Sequence, residues 1–252
     1  GQCDYCRAGV AQHCLDMRFF GSAMRMPHVQ GGFRERIITP AAQCVPVGAD
    51  VSLAEAAMAE PLAVAMHAVR QAGDVRGKRI LITGCGPIGA LVLLAARDAG
   101  AAETIVTDVL DAPLAFADRL GATRAINVAR DKDALVDEAR DKGRIDITIE
   151  CSGNARALAQ AIELTRPQGV IVQLGIGGSV EVPMNVVVAK EINLRGSFRF
   201  HEEFALAADA ISSRRIDVRP LITATRPLEM AIEAFDLAAD KSRSMKVQLA
   251  FG

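Results

Sequence analysis

Three cysteines stand close together near the start of the chain, as Cys3-x2-Cys6-x7-Cys14. A disulfide scaffold would be denser in cysteine than six in 252 residues, so the cluster reads as metal binding. Zinc takes four soft ligands in a tetrahedron, and these thiolates supply three. His13 and Asp16 are the local candidates for the fourth. A ligand upstream of Gly1 is the alternative, and three free thiols the plain one. Cys44, Cys85 and Cys151 are scattered.

The second chemical signal is Gly84-Cys85-Gly86-Pro87-Ile88-Gly89. Alone, such a glycine pattern says little. Here it follows the apolar run Arg79–Thr83 and opens a helical pattern with Pro87 near its first turn. The glycines permit a tight turn and let backbone N–H groups approach a pyrophosphate, whose charge the helix N-terminus favours. Asp108 ends the next strand pattern, 19 residues after Gly89. A carboxylate there binds both adenosine ribose hydroxyls and repels a 2′-phosphate, and neither Val109 nor Leu110 supplies a cation. NAD is therefore expected over NADP, and the rival reading is a glycine turn without a ligand.

Glu60 is the only charge between Glu55 and His67. An unpaired buried carboxylate is costly, so it needs backbone donors, a cation or solvent. It reads either as the N-cap of a helix beginning at Pro61 or as a metal contact. Further candidates fall where strand patterns end. These are Cys151, Ser152 and Gly153 after Glu150, Leu174 and Gly175 at the end of the fifth strand, and Ser197 and Phe198 at the sixth. Carboxyl ends of parallel strands face the ligand crevice of an open sheet, although each loop also serves as an ordinary turn. Arg199 follows directly and suits a carboxylate or a cofactor amide, with a surface arginine as the alternative. His67 reads as packed or capping within a helix, and His28 and His201 lie in loop contexts. The charged segment Arg130–Arg144 reads as a solvated helix face. No G-x-S-x-G elbow and no Walker A pattern occurs.

The elements that must hold these residues follow from periodicity. Ser52-Leu53-Ala54-Glu55 fits a capping box, and the helix beginning near Pro61 should run to about Gln71 and stop at Gly73. Strands are predicted at Arg79–Thr83, Thr104–Thr107, Ala125–Asn127, Ile145–Glu150, Val170–Leu174 and Asn193–Ser197. Helices are predicted between them at Pro87–Ala99, Ala112–Leu120, Asp133–Lys142, Ala155–Thr165 and Val186–Lys190. Gly100 and Gly121 sit where helix C-termini want a left-handed residue. Alternating strands and helices mean an α/β fold with a doubly wound parallel sheet. Residues 1–50 look irregular, with short β segments at Phe33–Ile38 and Cys44–Val47. The tail reads as helices at Phe204–Ser213 and Leu228–Ala239 and a strand at Lys246–Ala250, returning to the module that residues 1–50 begin.

Composition excludes other classes. Half the residues are apolar, 23% are charged and net charge is −1, so neither disorder nor a nucleic-acid or membrane-surface partner is indicated. The uncharged stretch Ile80 to Ala96 is shorter than a spanning helix needs and contains three glycines and a proline. The start Gly1-Gln2-Cys3 carries no signal pattern, which is read as a cytoplasmic protein whose sequence begins inside something larger.

Taken together, the cysteine spacing, Ala59-Glu60-Pro61-Leu62, the glycine loop and Asp108 resemble the zinc-dependent medium-chain dehydrogenases. The resemblance runs through almost the whole chain. Its sorbitol dehydrogenase branch, and within that the L-idonate-oxidising members, is carried by Asp16-Met17-Arg18-Phe19-Phe20-Gly21-Ser22-Ala23-Met24, Pro27-His28-Val29, Ala59–Ala65 and Leu194–Phe200. The resemblance implies a NAD-binding Rossmann domain at 59–200 and part of a GroES-like catalytic domain at 1–58 and 201–252. It implies structural zinc on Cys3, Cys6 and Cys14, whose first partner would fall immediately before Gly1. It also implies Glu60 at a catalytic zinc and Arg199 in the cofactor and substrate crevice.

The implied reaction oxidises a secondary alcohol of a sugar acid or polyol, foremost L-idonate to 5-keto-D-gluconate. Sorbitol, xylitol or threonine oxidation is the alternative, as is a non-catalytic NAD-binding fragment. Homodimers or homotetramers are usual in the family. The family's catalytic cysteine and Gly-His-Glu motif precede the structural-zinc loop, within roughly 90 residues by family length. They are not among these 252 residues, which alone are not expected to turn over substrate.

Overall fold

A computed structural model of the chain describes residues 1–251. Six parallel strands form the main sheet: β1 (Arg79–Thr83), β2 (Glu103–Asp108), β3 (Arg124–Asn127), β4 (Ile145–Glu150), β5 (Thr165–Gln173) and β6 (Asn193–Gly196). Their spatial order is β3-β2-β1-β4-β5-β6, the doubly wound order whose reversal point lies between β1 and β4. A separate two-stranded parallel sheet pairs β7 (Ile222–Pro227) with β8 (Lys246–Ala250). The helices are α1 (Asp4–Arg7), α2 (Leu53–Ala56), α3 (Ala59–Ala72), α4 (Pro87–Asp98), α5 (Asp111–Arg119), α6 (Val136–Ala139), α7 (Ala155–Leu164), α8 (Met184–Ala189), α9 (Glu203–Ser212) and α10 (Ala231–Ala239). Among the described residues no helix is long and apolar enough to cross a membrane.

Period-two alternation divides the core between the faces of the sheet. Ile80 and Ile82 of β1 pack in one cluster with Leu62 and Ala65 of α3 and Leu91 and Leu93 of α4. Leu81 points the other way, into a cluster with Ile105, Leu135 and Leu164. Behind β5 and β6, Ile171 and Ile192 pack with Leu158 and Ile162 of α7 and Val187 of α8. The caps follow the sequence. Ser52 and Glu55 form the capping box, and Gly73 ends α3 at φ +87°. Asn154 caps α7 through the Arg156 N–H, a signal not singled out in the sequence.

Two buried charges tie the ends of elements. Lys190 donates to the carbonyls of Ile162, Glu163 and Thr165, closing the C-terminus of α7 and fixing the start of β5. Glu138 pairs with Arg79 at 3.0 Å and Arg124 at 2.7 Å, the first residues of β1 and β3. The solvated face expected over Arg130–Arg144 is therefore corrected. One carboxylate on it is buried because it neutralises two strand-start arginines, and only Val136–Ala139 is α-helical. The β segments expected at Phe33–Ile38 and Cys44–Val47 do not form strands. A strand needs a ladder partner, no described residue pairs with either segment, and Ile38 is almost fully exposed. The strand β7 was not anticipated.

The tail returns to the early chain, as its pattern suggested. Gln248 donates to the Ala54 carbonyl, and Arg214 pairs with Glu55 and Asp50. The Ser52 hydroxyl and N–H, then Arg214, hold the Glu55 carboxyl down to about 2. Helix α9 joins the main core through Ala207 and Ile211, and its buried Glu203 accepts from His67 Nδ1 at 3.0 Å and Arg70 at 3.1 Å on α3. Burial opposes the ionised form of Glu203. The His201 N–H and His67 overcome it and hold the carboxyl at about 2.

This network gives a stability prediction. Glu203→Ala should lower the unfolding free energy at pH 7 by about 2 kcal/mol, since it removes charged hydrogen bonds at a buried site. The carboxyl is depressed in the fold, so its contribution is complete above its ordinary value of 4.5 and disappears as pH falls through about 2. Urea unfolding should show the gap between variant and parent narrowing across that window. A gap independent of pH would contradict the ionic role.

Candidate cofactor crevice and metal loop

The glycine loop lies where β1 meets α4. Gly84 adopts φ +84°, a left-handed turn, and a Cβ there would lie 2.9 Å from the Ser152 side chain. Gly86 is the N-cap of α4 and Pro87 its first residue. A Cβ on Gly89 would sit 1.9 Å from the Gly84 carbonyl oxygen, so backbone touches backbone and only glycine fits. Ile88 packs its side chain on the core. The first-turn N–H groups of α4, which have no intrahelical acceptors, thus open at the carboxyl end of the sheet and suit a phosphate.

Asp108 ends β2 beside this loop. One carboxylate oxygen accepts from the Cys85 N–H at 2.7 Å, and the other accepts from Val109 and Leu110 at 2.7 and 3.0 Å. Unfilled lone pairs remain for ribose hydroxyls. No described Lys, Arg or His lies within ion-pair distance of Asp108. Burial and the neighbouring Asp108 push the Cys85 thiol up to about 12, and burial together with Glu150 raises Cys151 well above the usual thiol range. Both stay protonated and are poor metal ligands.

The crevice itself, about 660 Å³, opens at the ends of β4, β5 and β6. Five of the anticipated residues line it: Gly153, Leu174, Gly175, Ser197 and Phe198. Cys151 and Ser152 lie beside it, against Gly89 and Gly84 respectively. The crevice is also lined by residues that the sequence reading did not assign to it, among them His67 and Gln173. Two signals could have found them. His67 stands seven residues, or two turns, after Glu60 on the same helix, and Gln173 is the last residue of β5. Gln173 Oε1 and the buried Ser197 Oγ have no hydrogen-bond partner, which is costly unless a ligand or water meets them.

The metal-ligating candidates separate. The Cys3, Cys6 and Cys14 sulfurs lie within 4.8 Å of one another, the only such cluster among the described residues. Backbone N–H groups of Leu15 and Cys6 lower the Cys3 thiol to about 6, which favours the thiolate a metal needs. Neither local candidate completes a tetrahedron. Asp16 pairs with Arg25 at 3.0 Å, and the His13 ring stacks on Phe198 at the crevice, 5.9 Å between centroids. Glu60 is the second residue of α3, not its N-cap. The Met58 carbonyl already accepts the Leu62 N–H at 3.0 Å, so the helix opens before Glu60. Its carboxylate is exposed, and solvent meets the need for donors. No described group of three or more donors includes Glu60, so these residues do not by themselves assemble a catalytic zinc site.

Arg199 stands at φ +57°, its guanidinium 4.2 Å from the Phe19 ring centroid and 4.7 Å from that of Phe198. Met24 Sδ is 3.0 Å from Nη2. No described carboxylate lies within ion-pair distance, leaving a cation that is held in place but not neutralised. His67 is packed, as expected; His28 is exposed, and the exposed His201 donates its N–H to Glu203.

Comparison with known proteins agrees with this geometry. A family profile described as zinc-binding dehydrogenase matches residues 87–213. The chain is 43% identical over 252 residues to the L-idonate 5-dehydrogenase (NAD(P)(+)) of Escherichia coli K12, covering all of this chain and 73% of that protein. It is 32% identical to a sorbitol dehydrogenase of Arabidopsis thaliana, over 98% of this chain and 69% of that one. The crystal structure of the E. coli L-idonate 5-dehydrogenase superposes with a TM-score of 0.96 at 42% identity, covering 100% of this chain and 72% of that one.

Two outcomes follow from the loop geometries. Gly89→Ala must displace α4 from the loop and should weaken NADH binding at least tenfold by fluorescence titration. Wild-type affinity would show that the glycine contact is irrelevant to the nucleotide. Cobalt(II) added to the reduced chain should give a thiolate-to-metal absorption band, lost in Cys6→Ser. A band surviving that change would place the metal elsewhere.

Proposed function

The chain belongs to the zinc-binding dehydrogenase family, and from that premise we propose that it oxidises a secondary alcohol of a sugar acid, foremost L-idonate, with NAD. The observation that carries the acid over a neutral polyol is Arg199, an unneutralised guanidinium beside Phe198 of the crevice wall. A carboxylate can take both its N–H groups, whereas a polyol leaves that charge without a partner. The sorbitol-type reading remains the alternative, supported by the 32% identity to a plant sorbitol dehydrogenase.

When bound, NAD would supply the hydride acceptor and a catalytic zinc would supply Lewis acidity toward the substrate hydroxyl. The chain's own residues have separate tasks. The α4 N-terminus and Gly84, Gly86 and Gly89 take the pyrophosphate, with Pro87 presetting the first turn and Ile88 anchoring it. Asp108 takes the ribose and disfavours a 2′-phosphate, so NAD is preferred over NADP although the E. coli relative's name allows both. Gly153, Leu174, Gly175, Ser197 and Phe198 form the wall that orients the nicotinamide half and keeps water from it, with Cys151 and Ser152 packed behind the glycine loop. Cys3, Cys6 and Cys14 hold a structural zinc. Glu60 contributes one carboxylate at most to a catalytic metal, and no step is assigned to it.

We place residues 59–200 in the cofactor domain and 1–58 with 201–252 in the substrate-side domain, which the separate β7–β8 sheet supports. The exposed edge strand β6 favours a homodimer or homotetramer that covers it. The cluster of free thiols favours a reducing, cytoplasmic setting.

The test is calorimetry with NAD present. L-idonate should bind measurably, and Arg199→Ala should weaken it about tenfold while leaving sorbitol unchanged. Equal effects on both ligands would remove Arg199 from acid recognition.

A further inference from the structure

At the floor of the crevice lies a carboxylate to which the reading above gives no task. Glu150, the last residue of β4, is fully buried. One oxygen accepts from the N–H groups of Ser152 at 2.8 Å and Gly153 at 3.1 Å, from the Thr83 hydroxyl at 3.2 Å and from the Ser152 hydroxyl. The other accepts from Gly153 N–H at 2.9 Å and Gln173 Nε2 at 2.6 Å. The backbone N–H groups can only donate. Gln173 Nε2 is fixed as a donor because it also reaches the Gly175 carbonyl at 2.8 Å. Each oxygen thus faces an obligate donor, which is what an ionised carboxylate requires. No described cation lies within ion-pair distance, so the charge is solvated by neutral dipoles alone.

The placement joins three strand ends. Thr83 ends β1, Glu150 ends β4 and Gln173 ends β5. The loops they fix are those of the crevice. Ser152 packs against Gly84 of the phosphate loop, and a Cβ on Gly175 would lie 2.8 Å from the carboxylate itself. Gly153, Gln173 and Gly175 line the cavity.

We infer that Glu150 is a positioning residue of the cofactor crevice, and that its uncompensated negative charge biases the crevice toward the oxidised nicotinamide over the reduced one. The oxidised ring is a cation and the reduced ring is neutral, so a fixed anion beneath the crevice discriminates between them while the rest of the dinucleotide is held alike. At the effective dielectric of a protein interior, one full charge roughly 10 Å away is worth about a tenfold change in relative affinity. This rests on the proposed NAD site, and the experiment separates the two.

Dissociation constants for NAD+ and NADH are measured by calorimetry on the parent chain, on E150Q and on Gln173→Lys, which sets an ammonium against the carboxylate. The ratio Kd(NAD+)/Kd(NADH) should rise about fivefold or more in both variants. A parent that binds neither dinucleotide overturns the cofactor reading itself. A parent that binds both, with either folded variant keeping the parent ratio, overturns the role of Glu150 and leaves the cofactor reading standing. Failure of both variants to fold assigns Glu150 to stability alone and overturns it as well. ADP-ribose, which lacks the ring, serves as control. Its affinity should change by the same factor as that of NADH, reporting the positioning effect without the charge effect.

Discussion

Everything at the crevice depends on one contact between backbones, the approach of α4 to the turn after β1. Gly89 meets the Gly84 carbonyl with no room for a methyl group. That closeness aims the helix N-terminus at the end of the sheet. From there the parallel order supplies the rest, because all six strands deliver their last residues to the same side. Asp108, Glu150 and Gln173 end their strands on that side, and Ser197 directly follows β6 there, though they lie up to 89 residues apart in sequence.

Much of this was legible in the residues. Ile80-Leu81-Ile82 could only be a strand covered on both faces, and Pro87 after two glycines could only open a helix. Ser52 and Glu55 announced their own cap. What failed did so for non-local reasons. Phe33–Ile38 has strand composition, but a strand is a property of two segments and composition speaks for one. Glu138 looked like part of a solvated face because nothing local reveals that Arg79 and Arg124, far away in sequence, need a common counter-ion. Lys190 gave no sign that it would serve two carbonyls at the end of α7 and one at the start of β5.

The site was legible in the same uneven way. Residues that work through their backbone, such as the glycines, declared themselves by type. Residues that work through side-chain position did not. His67, Gln173 and Glu150 carry ordinary identities and gain meaning from the sheet that gathers them. His13 reversed its expected place, because stacking on Phe198 draws it to the crevice wall while the sulfurs beside it gather into their own cluster. The cysteine loop and the crevice wall are therefore mechanically joined by a pair of rings.

Asp108 has a consequence for evolution. Its carboxylate, proposed to read the ribose, also pins three backbone N–H groups, among them that of Cys85 inside the glycine loop. A lineage that replaced it to admit a phosphorylated cofactor would also loosen the loop proposed to hold the pyrophosphate of either dinucleotide. Selection for the new cofactor then has to pass through, or compensate, a general loss of affinity. The side chain that sets preference is in this way shielded from single-step change, and drift between cofactors is expected to proceed through the flanking Val109 and Leu110 instead.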